Sequence, residues 1–61
     1  MTDEELRRLR HDLRSPLVVI GGFADLLASD RPIDVEQRKD YAGRIRRAAE
    51  ELEQLITDGL R

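Results

Sequence analysis

Leu6-Arg7-Arg8-Leu9-Arg10-His11-Asp12-Leu13-Arg14-Ser15-Pro16-Leu17, residues 6–17, decides how the chain folds. Its leucines at 6, 9 and 13 are three and four residues apart, the spacing that stacks side chains on one face of an α-helix. The same steps continue through Pro16/Leu17, Ile20, Phe23/Ala24 and Leu27, so the segment is a heptad seam. Thr2 followed by Glu5 has the spacing of a capping box, which predicts helix 1 from about 3 to 28. A second seam runs Tyr41/Ala42, Ile45, Ala48/Ala49, Leu52, Leu55/Ile56 and Gly59/Leu60. Asp34 with Gln37 is another capping box, predicting helix 2 from about 35 to 60. Residues 29–34 are left as a loop. A loop that short predicts an all-α, antiparallel helical hairpin.

The 61 residues form one domain, and domains of this size usually need a staple or a partner. There is no cysteine and a single histidine, so neither a disulfide nor a metal is expected to supply one. Leu17, Val18, Ala24 and Ala49 widen the apolar stripes beyond what two helices cover. The expectation is a homodimer, two hairpins paired in a four-helix bundle, with Ala48 and Ala49 allowing close approach. Ala42, Ile45 and Ala49 are expected to be mostly buried. Arginines cluster at 7, 8, 10 and 14 and again at 44, 46 and 47. The net charge of −2 and the presence of only two aromatics, Phe23 and Tyr41, nevertheless disfavour nucleic acid as a partner. No apolar run approaches the ~20 residues that span a bilayer, and no signal-peptide pattern is present. The segment is expected to be cytoplasmic and free of membrane contact, whether or not a parent protein is anchored elsewhere.

With Leu6 at heptad position a, His11 falls at f, the most exposed position, which argues against a core histidine. Asp12 lies about 100° further around the helix. Its carboxylate is placed to accept from Nδ1–H, leaving Nε2 outward and unprotonated, the state in which imidazole is a nucleophile. Pro16 cannot donate to the Asp12 carbonyl and its ring crowds that carbonyl. Gly21 and Gly22 each cost about 1 kcal/mol relative to Ala. Helix 1 is therefore expected to bend readily between 12 and 22, with Pro16 as the bend. Ser15 is at i+4 from His11. It reads equally as a polar helix residue before proline or as part of a site. A hydrolytic triad is not supported, because there is no second histidine.

The motif His11-Asp12-Leu13-Arg14-Ser15-Pro16-Leu17 resembles the H-box of sensor histidine kinases, the phosphoacceptor motif of their dimerisation and histidine-phosphotransfer domain. Ile20, Gly22-Phe23 and Leu26-Leu27 resemble that family's later helix-1 pattern. Helix 2, from Ile45 to Leu55-Ile56 and Asp58, resembles its second helix, so the likeness covers essentially the whole chain. The resemblance implies that His11 takes the γ-phosphoryl group of ATP on Nε2 and that Asp12 orients or deprotonates the ring. It also implies transfer to an aspartate of a response-regulator receiver domain, for which Arg14, Leu17 and Val18 are the expected contacts. Some members also dephosphorylate their regulator, with a Thr or Asn at the position of Ser15 placing the attacking water. Serine keeps the hydroxyl and lacks the methyl that restricts its rotamer. The chain has no glycine-rich lid and no asparagine-bearing nucleotide motif. No cofactor is therefore expected on it: ATP and magnesium would belong to a separate ATP-binding kinase domain. Helix 2 is still in pattern at Arg61, which favours a piece of a longer kinase. The reading from another class is a non-catalytic helical dimerisation module with a silent histidine, to which Asp12 and Pro16 run counter.

Overall fold

Two side-chain caps start the two helices. The computed structural model describes residues 1–60, with α1 spanning Asp3–Ala28 and α2 Val35–Gly59. Thr2 Oγ1 accepts the Glu5 N–H at 3.1 Å, satisfying one of the backbone donors orphaned at a helix start. At α2 both halves of the box form: Asp34 Oδ1 accepts from the Gln37 N–H at 2.7 Å, and Gln37 Oε1 accepts from the Asp34 N–H at 3.1 Å. α1 ends where the Ser29 hydroxyl donates to the Leu26 carbonyl at 2.9 Å, and Pro32 prevents the helix from resuming.

The helices lie antiparallel, and the seam selects one member of each adjacent apolar pair. Pro16, Phe23, Tyr41, Ala48 and Leu55 turn inward, whereas Leu17, Ala24, Ala42, Ala49 and Ile56 are exposed. Only positions a and d of each helix meet across two antiparallel helices, and the next residue is about 100° away. In the single hairpin Ala42 and Ala49 are exposed and Ile45 is half-buried, so the burial expected for Ala42 and Ala49 would need the second hairpin of a bundle. Ala48 takes the interior place. The exposed members recur every seven residues: Leu17 and Ala24 on α1, and Val35, Ala42, Ala49 and Ile56 on α2. All are at heptad position e. In an antiparallel pair the e positions of both helices share one flank and the g positions share the other. The g flank brings Val19 beside Arg44 and Glu51, and Asp12 beside Asp58.

The proline expected to bend α1 is fully buried in the seam, and α1 runs through it as one uninterrupted helix. Its ring supplies apolar volume where Ala48 is also buried. Gly21 and Gly22 are helical, and no glycine has positive φ. A Cβ built on either meets nothing within 4 Å. Gly21→Ala and Gly22→Ala are each expected to stabilise the hairpin by about 1 kcal/mol. Thermal unfolding should show this as a melting temperature raised by about 4–8 °C per kcal/mol. Unchanged or lowered melting points would mean that these glycines are needed for flexibility or close approach. Gly59 differs: its Cβ would lie 2.6 Å from Leu9 Cδ1, so the absence of a side chain there lets α2 close on α1 near His11.

The result is a thin rod, 47 × 16 × 10 Å, with a radius of gyration of 14.5 Å. A compact domain of this length would have about 10 Å. Pro16 and Ala48 are the buried residues among those described. The half nearer the loop is pinned by Phe23 and Tyr41, with ring centroids 5.3 Å apart. The Arg44 guanidinium lies 5.5 Å from the Phe23 centroid and is held by Asp40 at 3.0 Å. No helix among the described residues is long and apolar enough to cross a membrane.

Candidate functional site

Position f of α1 faces away from the seam, and His11 stands there with its side chain 84% exposed. The neighbouring Asp12 is at g, on the charged flank. Asp12 Oδ1 lies 3.5 Å from His11 Nδ1. That is longer than a direct N–H···O bond and close enough for an electrostatic hold on the ring. In this arrangement Nδ1 is the edge nearer the carboxylate, and Nε2 lies on the opposite edge of the exposed ring.

Two open hollows flank this pair. One, beside His11, is lined by Glu4, Arg7 and Arg8 together with the histidine. The other, beside Asp12, is lined by Glu5, Arg8 and Leu9 of α1 and by Leu55, Asp58 and Gly59 across the seam. Arg8 lines both. Arg10 and Arg14 line neither, although the sequence clusters them with Arg7 and Arg8 around the histidine. The division follows from helix geometry. Residues at i−4 and i−3 lie one turn below a side chain, and helical side chains lean toward the N-terminus over that turn. Sequence reading counts four arginines; the i−4 and i−3 spacings of Arg7 and Arg8 are the signal that separates this pair.

The other residues singled out by the sequence fall on different faces. Ser15 is exposed one turn beyond His11, and Arg14 is exposed beside it. Val18, 66% exposed, is seven residues from His11 and continues its stripe. Leu17, 53% exposed, belongs instead to the apolar e flank. Pro16, directly after Ser15, is locked in the seam, so the rotation of α1 that points His11 outward is set one turn away from it. Among the described residues, no group of three or more His, Cys, Asp and Glu side chains comes together to hold a metal ion.

The family model for the His Kinase A (phospho-acceptor) domain matches residues 1–61. The chain belongs to that family. It is also 34% identical over 59 residues to the sensor histidine kinase YcbM of Bacillus subtilis (strain 168), an alignment covering 90% of this chain. The chain spans 19% of that kinase's length. No solved structure matches. Membership of the His Kinase A family agrees with the hairpin, the seam-anchored Pro16 and the exposed histidine at the head of the motif. The His Kinase A hairpin as folded here holds an imidazole in open solvent with one edge oriented and the other unobstructed.

Proposed function

We propose that this hairpin is the phosphoacceptor and dimerisation domain of a sensor histidine kinase and that His11 is the residue phosphorylated. The observation that carries this reading is the fully presented imidazole with its Nδ1 edge turned to Asp12. A small movement of Asp12 onto Nδ1–H keeps the proton there and leaves the lone pair on Nε2. Nε2 attacks the γ-phosphorus of ATP held by a separate ATP-binding domain together with magnesium. The bond from the γ-phosphorus to the bridging oxygen breaks, ADP departs with that electron pair, and Asp12 stabilises the positive charge that develops on the ring. Such a transfer depends on in-line placement and charge stabilisation, both of which an unobstructed Nε2 permits. In the second half-reaction a receiver-domain aspartate attacks the phosphorus, the P–N bond breaks and the neutral imidazole is restored. Arg14 and Val18, beside and along the His11 stripe, are the receiver contacts. Leu17 is assigned to dimerisation because it shares the apolar flank with Ala24, Val35, Ala42, Ala49 and Ile56. That flank pairs with its own copy about a twofold axis, closing a four-helix bundle. The Ser15 hydroxyl is the group available to position water for phosphatase action on the regulator.

The test is to incubate the chain with the ATP-binding portion of a sensor histidine kinase and γ-labelled ATP. Label that is acid-labile and alkali-stable supports the reading; a chain that stays unlabelled is a silent helical module. Asp12→Asn keeps the size and removes the charge, so it should slow labelling by about 10²-fold, the low end of the contribution of a positioned acid–base group. Its circular dichroism and sedimentation should match the parent. Labelling at the parental rate would remove Asp12 from the mechanism.

A further inference from the structure

His11 does not stand alone in its hollow: Arg7 and Arg8 line it, and neither side chain has a partner among the described residues. Arg44 and Arg46 on α2 are each held by a carboxylate one turn away, Asp40 at 3.0 Å and Glu50 at 3.1 Å. Among the described residues, Arg7 and Arg8 make no ion pair or hydrogen bond through their side chains. Glu4 is the one carboxylate in the hollow, three and four residues before them, and it pairs with neither. Each guanidinium carries five N–H donors, so the two arginines that share the hollow with His11 bring ten donors with no partner among the described residues. The hollow is open, so nothing must be displaced for an anion to enter it.

We infer that Arg7 and Arg8 form a cradle that holds the phosphoryl oxygens once His11 is phosphorylated. This deepens the phosphoacceptor reading and rests on it. A phosphoryl group on Nε2 adds up to two negative charges and three acceptor oxygens at the outer edge of the ring. The ring leans over the turn that carries Arg7 and Arg8. Guanidinium donors match phosphoryl oxygens in pairs, which fixes orientation as well as charge. Arg7 and Arg8 are thus positioning residues: they turn the phosphorus toward the incoming receiver and favour the dianionic form. Arg8 also lines the hollow of Asp12, so it occupies the boundary between the group that orients the ring and the group the ring carries.

Other charges near the ring set the direction of the controls. Glu4 opposes the cradle from within the hollow, Asp12 faces the other ring edge, and Asp58 approaches from α2 on the Asp12 side. Cations beside the phosphoryl group favour its more negative form, so they lower the pH at which its last proton leaves. Removing the cations raises that pH.

The test loads the 61-residue chain with potassium phosphoramidate. Its P–N bond breaks, ammonia leaves and the phosphoryl group forms a bond to Nε2 of His11. Phosphorus NMR then follows the titration of the phosphoryl group. Two weakly screened surface pairs predict that the Arg7→Gln/Arg8→Gln double variant titrates about half a pH unit higher than the parent. Glu4→Gln should move the titration the other way. An Arg38→Gln/Arg47→Gln variant removes the same net charge on α2, beyond the ~10 Å screening length at 0.1 M salt, and should titrate as the parent does. Arg7→Lys/Arg8→Lys retains the charge and should restore most of the effect, which separates the cradle from a folding defect; circular dichroism checks the helix in each case. A double Gln variant that titrates with the parent overturns the inference, as does an equal shift in the α2 variant. Chemical loading bypasses the kinase, so a failure of the cradle and a failure of ATP to label His11 are read separately.

Discussion

His11→Gln should take up no acid-labile phosphate. Glutamine keeps polarity and approximate length at position f and has no ring nitrogen with a nucleophilic lone pair. The loss of the attacking atom is not compensated by any neighbour: the chain has a single histidine, and a phosphoryl group on the Ser15 hydroxyl would be an acid-stable ester. Labelling by ATP and a separately supplied kinase domain is therefore expected to fall by about three orders of magnitude or more. The fold should be indifferent. The parent side chain is 84% exposed, and substitutions at such positions usually change stability by no more than about 0.5 kcal/mol. The variant should sediment as the parent does and give the same helical circular dichroism. Retention of acid-labile label by His11→Gln would place the phosphoacceptor elsewhere.

The second large effect concerns assembly. Ala49→Arg sets a guanidinium at the middle of the apolar e flank, between Ala42 and Ile56 on α2. A twofold interface repeats the change, so each dimer would enclose two unpaired charges. Burying an unpaired charge costs several kcal/mol, and even about 3 kcal/mol weakens association by about 100-fold. Sedimentation equilibrium should find the variant monomeric at concentrations where the parent is dimeric. Its melting temperature should fall if the copies pair, because a hairpin in which only Pro16 and Ala48 are buried among the described residues would gain stability from a partner. Glu51→Arg lies on the opposite, charged flank and should leave association unchanged. If Ala49→Arg remains a dimer, the copies pair through another face.

The antiparallel hairpin was legible in the sequence because the three-four spacing and the two caps are local signals. Thr2 and Asp34 each announce a helix start within three residues, and the six residues 29–34 leave the chain no route but back along itself. What was not legible is which member of each apolar pair faces inward. Pro16/Leu17 and Ala48/Ala49 satisfy the same periodicity, and the choice depends on how the two helices rotate against each other, a tertiary property. Composition favours Leu over Pro for a core, yet Pro16 is the residue buried and Leu17 the one left out. The same proline, whose ring crowds a carbonyl, lies inside one continuous helix and is buried in the seam. For the site, the position of His11 at f followed from counting heptads. The grouping of Arg7 and Arg8, apart from Arg10 and Arg14, needed the direction in which helical side chains lean.

The separation of faces around α1 has a consequence for traffic through the molecule. His11 and Val18 occupy a stripe turned away from both the seam and the apolar flank, so a visitor at the imidazole and a sister hairpin do not compete for the same ground. In a paired assembly both imidazoles would stay open at once, one on each outer side, and saturation with receiver should reach one per chain instead of one per pair.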